Sequence, residues 1–163
     1  MPVKRAVVNA SPLICLSKAG LLHILPALFK SILVPDVVFD EIAAKKEVPF
    51  SSGASPFHVE WLQRCSDIVV PSTVVSWDLG AGESAVIAHA LHDPESCAII
   101  DDREARRCAE SLGCRYMGTV GVILLAKERG IIVSVRLALV KLEQSGLWMS
   151  ETFITEVCKK AGE

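Results

Sequence analysis

The residues of this chain that could do chemistry are oxygen-bearing side chains at the ends of two predicted strands. The first apolar strand runs into Asn9, and the fourth, which contains the sequence AII, ends in Asp101 and Asp102. Two adjacent like charges cost free energy unless a cation or hydrogen-bond donors compensate them. The pair therefore indicates a functional site, with one structural alternative, in which Asp102 caps the next helix and Asp101 is solvated.

Two more carboxylates fall on predicted helices. Glu83 lies in the first turn of the apolar helix within GAGESAVIAHA, where a negative charge also suits the helix dipole by ~0.3–1 kcal/mol. Glu41 follows Val37 and Val38 by four and three residues, which places it near the apolar face of its helix. Each residue, taken alone, is explained as well by a boundary position as by a functional role.

Taken together, the candidate side chains share one donor type, because all bear oxygen and none is a histidine or cysteine. Oxygen ligands of this kind suit Mg²⁺ or Mn²⁺ and do not suit zinc. In an α/β fold, an ion held by carboxylates typically acts on phosphates. The candidate ligands are Asn9, Glu41, Glu83, Asp101 and Asp102.

The elements that must position these residues alternate between strands and helices. Strands are predicted at 4–9, 31–34, 67–70, 98–101 and 115–117. Helices are predicted at 11–20, 21–29, from 35 onward, and at 59–64, 83–92, 102–112, 118–129, 135–144 and 151–160. Ser11 is predicted to cap the first helix ahead of Pro12, and residues 47–56 to form a loop. This order predicts an α/β fold, a mainly parallel sheet covered on both faces, in a single domain over residues 1–163.

The composition excludes several classes of protein. The chain has 163 residues, a net charge of −2 and 51% hydrophobic residues, which argues against disorder. No apolar run reaches the ~18 residues that a membrane span needs, and no signal sequence is recognisable, so a cytoplasmic location is expected. None of the six cysteines forms a C-x-x-C pair, which disfavours a disulfide framework or a thiolate zinc site.

Positive charge is concentrated after the Asp pair. Residues 103–141 carry eight basic and three acidic side chains. Arg103, Arg106 and Arg107 begin the helix after Asp102, where they could contact a phosphate backbone in a salt-dependent way or simply form a solvated helix face. The chain has one Tyr and three Trp, so extensive base stacking is not expected, and Trp148 is interpreted with the others as core or interface.

Five segments carry a family resemblance: VVNASPLI (7–14), VPDVVFDEI (34–42), LGAGESAVIAHA (79–90), AIIDDREARR (98–107) and GTVGVILLA (118–126). In this order the chain resembles the PIN-domain nucleases, in particular a compact branch similar to VapC-type toxin ribonucleases. The resemblance implies a three-layer α/β/α sandwich and a Mg²⁺- or Mn²⁺-dependent ribonuclease. It also implies a small antitoxin partner protein and a homodimer, for which the apolar stretches 13–28 and 131–142 are candidate interfaces.

The same resemblance assigns roles to particular positions. It maps the family's four acids to Asn9, Glu41, Glu83 and Asp102, with Asp101 adjacent. Supporting polar residues map to Ser11 and Thr119. The implied chemistry is in-line attack of a metal-bound water on RNA, leaving a 5′-phosphate and a 3′-hydroxyl.

Asn9 departs from the family pattern, because the wider family has Asp at this position. An amide oxygen can ligate Mg²⁺, but it adds no charge and cannot act as a base. This departure raises an alternative function, an inactive or weak PIN-fold module that binds or regulates. A receiver-type phosphate-binding domain is less favoured, because receivers usually carry their acidic pair after the first strand.

Overall fold

The computed structural model describes residues 3–45 and 59–163. In these residues five parallel strands form one sheet in the order β3-β2-β1-β4-β5. The strands are β1 (Arg5–Val8), β2 (Ser31–Pro35), β3 (Leu62–Cys65), β4 (Ser96–Ile99) and β5 (Arg115–Met117).

Helices cover both faces of the sheet and give the three-layer α/β/α sandwich that the sequence predicts. They are α1 (Ala10–Lys18), α2 (Ile24–Leu28), α3 (Asp36–Ala44), α4 (Ser72–Val75), α5 (Ala81–His92), α6 (Arg103–Ser111), α7 (Thr119–Glu128), α8 (Val135–Gln144) and α9 (Glu151–Lys160). None of the helices in the described part of the chain is long and apolar enough to cross a bilayer.

The two central strands set the position of the site. β1 and β4 are parallel neighbours, and the pairing continues past β1, where the Asn9 amide donates to the Ile99 carbonyl at 3.0 Å. Strands β2 and β3 lie on the far side of β1, and β5 lies on the far side of β4, so the direction of strand order reverses between β1 and β4. The carboxyl ends of β1 and β4 therefore form the topological switch point, where ligands of open α/β sheets bind.

Two of the predicted elements are wrong. Residues 62–65 form strand β3, not a helix, because Leu62 is buried next to β2 in register with Ile32. The predicted strand at 67–70 has no regular structure, and Val69 is 91% exposed. Helix α4 was not predicted, and the loop predicted at 47–56 lies outside the described residues.

The start of α1 also differs from the prediction. The helix begins at Ala10, so Asn9 occupies the N-cap position and Ser11 lies inside the first turn. Pro12 is tolerated there because the first amides of a helix have no intrahelical carbonyl partner. The consequence is that Asn9, and not Ser11, sits at the junction between β1 and α1.

Candidate active site

Asn9 is a buried polar residue at the carboxyl end of β1, with 2% of its surface exposed. Its Nδ2 donates a hydrogen bond to Glu83 Oε1 at 3.1 Å. Its Oδ1 is the one buried side-chain oxygen or nitrogen in residues 3–45 and 59–163 that has no hydrogen-bond partner. An unsatisfied buried acceptor costs about 1–3 kcal/mol, so this oxygen is suited to a donor or a cation.

Glu41 reaches the same place from α3. Its Oε1 accepts a hydrogen bond from the Gly82 backbone amide at 2.9 Å. A Cβ atom on Gly82 would lie 2.5 Å from Glu41 Oε2 and 2.9 Å from Asn9 Oδ1. Both oxygens therefore converge on the space above Gly82, which stays open because that residue has no side chain.

Glu83 completes this group from the first turn of α5. One of its oxygens holds Asn9, and a Cβ on Gly80 would collide with the other. The two glycines of the sequence GAGE thus leave room for two carboxylates, and this spacing is the sequence signal that points to the cluster. We call Asn9, Glu41 and Glu83 the oxygen cluster.

Asp101 lies across the switch point at the end of β4 and is bound by the chain itself. Its Oδ1 accepts from the Thr119 amide at 2.7 Å, and its Oδ2 accepts from the Thr119 hydroxyl at 2.6 Å. Thr119 is fully buried at the start of α7. Asp101 is therefore not simply solvated; it joins the end of β4 to the N-terminus of α7.

Asp102 caps α6, as the structural alternative predicts. Its Oδ1 accepts from the Ala105 amide at 2.8 Å. The residue is exposed, and no side chain or amide of the described residues is bonded to its Oδ2. One oxygen of Asp102 thus remains available on the solvent side of the switch point.

The three predicted arginines occupy different environments. Arg106 is half-buried, and its Nη1 and Asp101 Oδ1 would each lie 3.0 Å from a Cβ on Gly118. Arg107 is exposed and pairs with Glu104 at 3.0 Å, and Arg103 is exposed at the start of α6. Arg106 is therefore the arginine of this group that stands beside the Asp pair.

Ser11 lies on α1 next to the Cys15 thiol. Burial and the negative charge of Asp101 raise the pKa of Cys15, while a hydrogen bond with Ser11 opposes the shift. Helices α1 and α7 contact each other, with Ser11 in the first turn of α1 and Thr119 at the start of α7.

A shallow groove opens beside Asp101, with a volume of about 210 Å³. Its walls include Asp101, Arg106, Trp148 and Phe153. Trp148 is 84% exposed, so it is not a core residue, and its interpretation as an interface residue stays a prediction. We call this feature the aromatic groove.

The donor set decides which ion the site can hold. Across the described ranges no group of three His, Cys, Asp or Glu side chains is close enough to hold a metal ion. The oxygen cluster instead offers two carboxylates and one amide oxygen, of which Glu41 Oε2 and Asn9 Oδ1 converge above Gly82. Oxygen donors alone suit Mg²⁺ or Mn²⁺, and the unpartnered Oδ1 of Asn9 beside Glu41 Oε2 fits such an ion.

Comparison with known proteins agrees with this architecture. A family model described as a PIN domain matches residues 5–163. No curated protein matches the chain.

Proposed function

The chain belongs to the PIN-domain family, and on that premise we propose that it is a ribonuclease that hydrolyses RNA phosphodiester bonds with Mg²⁺ or Mn²⁺. PIN domains are generally metal-dependent nucleases. The observation that carries the proposal is the convergence of Asn9 Oδ1 and Glu41 Oε2 above Gly82.

We propose that the oxygen cluster holds the cation, with Asp102 contributing its free oxygen from the other side of the switch point. A divalent ion bound there would activate water and neutralise charge on the phosphodiester. Asp101 belongs to the same proposed site, where it positions Asp102 and the start of α7. Its bonds to Thr119 support this role.

The chain's own bonds would keep the proposed ligands in place. The Gly82 amide fixes Glu41 through Oε1 and turns Oε2 toward the site. The Asn9 amide group fixes Glu83 in the same way. Preorganised ligands of this kind favour one geometry of ion and substrate, and Arg106 would add a cation for the RNA phosphate.

A second candidate function, a PIN-fold module that binds RNA or protein without cutting, is favoured by one observation. The Asn9 amide already satisfies Glu83 without any ion. A carboxylate at this position would instead face Glu83 as a like charge and would need a cation. The family match leaves the receiver-type alternative without support.

The cellular setting is proposed from the resemblance to VapC-type ribonucleases. We propose a toxin of a toxin–antitoxin pair, active in the cytoplasm as a homodimer and blocked by a small antitoxin protein. Leu137 and Val140 on α8 are exposed apolar residues within the candidate interface 131–142. They support the dimer part of this proposal.

The test is cleavage of a labelled mixed-sequence RNA by purified protein with Mn²⁺, Mg²⁺ or EDTA. The variant is Glu83→Gln, and the matched control is Glu95→Gln, an exposed residue before β4. We expect metal-dependent cuts that disappear in Glu83→Gln and persist in Glu95→Gln. Absence of both cutting and calorimetric metal binding would favour the non-cutting module.

A further inference from the structure

Trp148 is the most exposed aromatic side chain of the described residues, yet the residues on both sides of it are bonded or buried. Leu147 donates its amide to the Leu142 carbonyl at 3.0 Å, and Met149 is buried. Ser150 then caps α9 by accepting from the Phe153 amide at 3.1 Å. The indole therefore projects from a fixed support, with little backbone entropy to lose when a ligand stacks on it.

Two glycines, Gly118 and Gly121, line the aromatic groove that Trp148 borders. A Cβ on Gly118 would crowd Arg106 and Asp101 at 3.0 Å, and one on Gly121 would crowd Met117 at 3.0 Å. At about 210 Å³ the groove is smaller than the ~300–1,000 Å³ of pockets that enclose a whole small ligand. Its size fits one unit of a longer chain.

The two ends of the aromatic groove differ in chemistry. Arg106 and Asp101 lie at the polar end. Both oxygens of Asp101 accept hydrogen bonds from Thr119, whereas none of the ion pairs among the described residues involves the Arg106 guanidinium. Trp148 and Phe153 form the apolar end. A guanidinium binds a phosphate, and an aromatic face stacks on a nucleobase, so the two ends match the two parts of a nucleotide.

We infer that the aromatic groove binds one unpaired nucleotide of single-stranded RNA, with its base on Trp148 and its phosphate against Arg106. The inference rests on the proposed function, because Asp101 joins the groove to the candidate site. Bases of a duplex are already stacked on each other, so the groove selects single strands. Stacking is tolerant of base identity, so it adds affinity with little sequence preference.

The experiment measures binding without cleavage. Fluorescence anisotropy of a labelled ten-nucleotide single-stranded RNA, and of the same strand in a duplex, is recorded in EDTA. The proteins are wild type, Trp148→Ala, Trp148→Phe, Trp148→Leu and the control Val133→Ala, which shortens another residue that is 91% exposed. Circular dichroism verifies that each variant is folded.

We expect Trp148→Ala to weaken single-strand binding roughly 5- to 100-fold, the range typical of removing one stacked base. Trp148→Phe retains most of the affinity, while Trp148→Leu does not, because leucine lacks a π-face. Val133→Ala binds as wild type. Duplex RNA binds more weakly than the single strand and is insensitive to Trp148→Ala.

Three results would overturn the inference. One is equal single-strand affinity of wild type and Trp148→Ala, and another is no binding of the single strand by wild type. The third is a dimer that becomes a monomer in Trp148→Ala with RNA affinity unchanged, which would make the groove an interface between copies. Sedimentation velocity detects that change.

The outcome is separable from that of the proposed function. RNA cleavage by wild type together with unchanged affinity of Trp148→Ala would keep the nuclease and reject the groove. Weakened binding by Trp148→Ala in a protein that does not cut RNA with Mn²⁺ or Mg²⁺ would keep the groove and reject the nuclease.

Discussion

The two sides of the switch point treat their carboxylates differently. On the β4 side, both oxygens of Asp101 accept hydrogen bonds from Thr119, and Asp102 caps α6. In the oxygen cluster, Glu41 Oε2 and Asn9 Oδ1 point at the bare backbone of Gly82 instead. The chain binds both oxygens of Asp101 and one oxygen of Asp102, whereas Glu41 Oε2 and the buried Asn9 Oδ1 are left for another partner.

This difference shows that the residues that stand out most in a sequence need not be those left free in the fold. Two adjacent acids after a strand attract attention, yet their compensation comes from an amide, a hydroxyl and a helix N-terminus. Glu41 and Glu83 each have an ordinary explanation as single residues. Their convergence with Asn9 gives them a shared role as candidate ligands.

The largest effect is expected from Gly82→Ala, which attacks the oxygen cluster directly. The new Cβ would lie 2.5 Å from Glu41 Oε2 and 2.9 Å from Asn9 Oδ1, so the two oxygens must move apart. Displacements of this size reduce catalysis by about 10²-fold when positioning matters. We expect this loss in RNA cleavage, with a parallel loss of Mn²⁺ affinity in calorimetry.

The control for that substitution is Ala81→Ser, at an exposed position in the same helical turn. Thermal unfolding shows whether Gly82→Ala is still folded. Because alanine favours a helix more than glycine does, the substitution should not unfold α5, and a loss of cleavage is then a loss at the site. Wild-type cleavage by Gly82→Ala would show that the space above Gly82 is not the site.

The next largest effect is expected on stability, at the β4 side of the switch point where Thr119 binds Asp101. Thr119→Val keeps the shape and the backbone amide but removes the hydroxyl that donates to Asp101 Oδ2 at 2.6 Å. A hydrogen bond to a charged group contributes about 1.5–3 kcal/mol, so the free energy of unfolding should fall by that amount. Chemical denaturation measures the loss, with Thr155→Val on the exposed face of α9 as the control. An unchanged midpoint in Thr119→Val would contradict the structural role of Asp101.

Much of the fold was predictable because local sequence signals for helix ends agree with the helix ends in the structure. Gly113 and Gly130 adopt positive φ after α6 and α7, and Ser150 caps α9 where the sequence places the cap. β3 was mislocated because the sequence LQRC has no alternation of its own. It becomes a strand through its pairing with β2, which lies about thirty residues earlier in the chain.

The positions of the candidate site residues were more predictable than their contacts. The sequence pattern placed Asn9 and the Asp pair at the ends of two strands, and the structure has these strands, β1 and β4, as parallel neighbours. The approach of Glu41 to Gly82 depends on the packing of α3 against α5, which no local pattern encodes. The exposure of Trp148 depends in the same way on the turn between α8 and α9.

Asn9→Asp is expected to raise the affinity for Mn²⁺, because it makes the oxygen cluster more dependent on a cation. The amide donor to Glu83 is lost and a like charge takes its place, so the melting temperature in EDTA should fall. A further charged ligand should tighten Mn²⁺ binding roughly tenfold and enlarge the melting-temperature rise that Mn²⁺ causes. Gln63→Glu adds the same charge at an exposed position of β3 and should change neither quantity. Equal Mn²⁺ affinity in Asn9→Asp and wild type would place the ion elsewhere.

The smallest effect concerns Glu163, a carboxylate that the chain satisfies at the other end of α7. Its oxygens accept from the Val135 amide at 2.6 Å and the Arg136 amide at 3.1 Å, and Lys127 pairs with it at 3.1 Å. These backbone hydrogen bonds, followed by the bonds to Lys127 and Ser134, lower the pKa of Glu163 from 4.5 to about 2.

Because the folded pKa is the lower one, the charged form stabilises the fold above about pH 4.5, and this stability is lost as the pH falls toward 2. Glu163→Gln should therefore lower the free energy of unfolding at neutral pH, and the difference from wild type should close as the pH approaches 2. Denaturation at a series of pH values measures it, with Glu156→Gln on α9 as control. RNA cleavage at neutral pH should stay at the wild-type rate, because Glu163 resembles the Asp pair in being bound by the chain but lies away from the oxygen cluster. A loss of cleavage in Glu163→Gln without a change in stability would contradict the assignment of Glu163 to the fold and not to the candidate site.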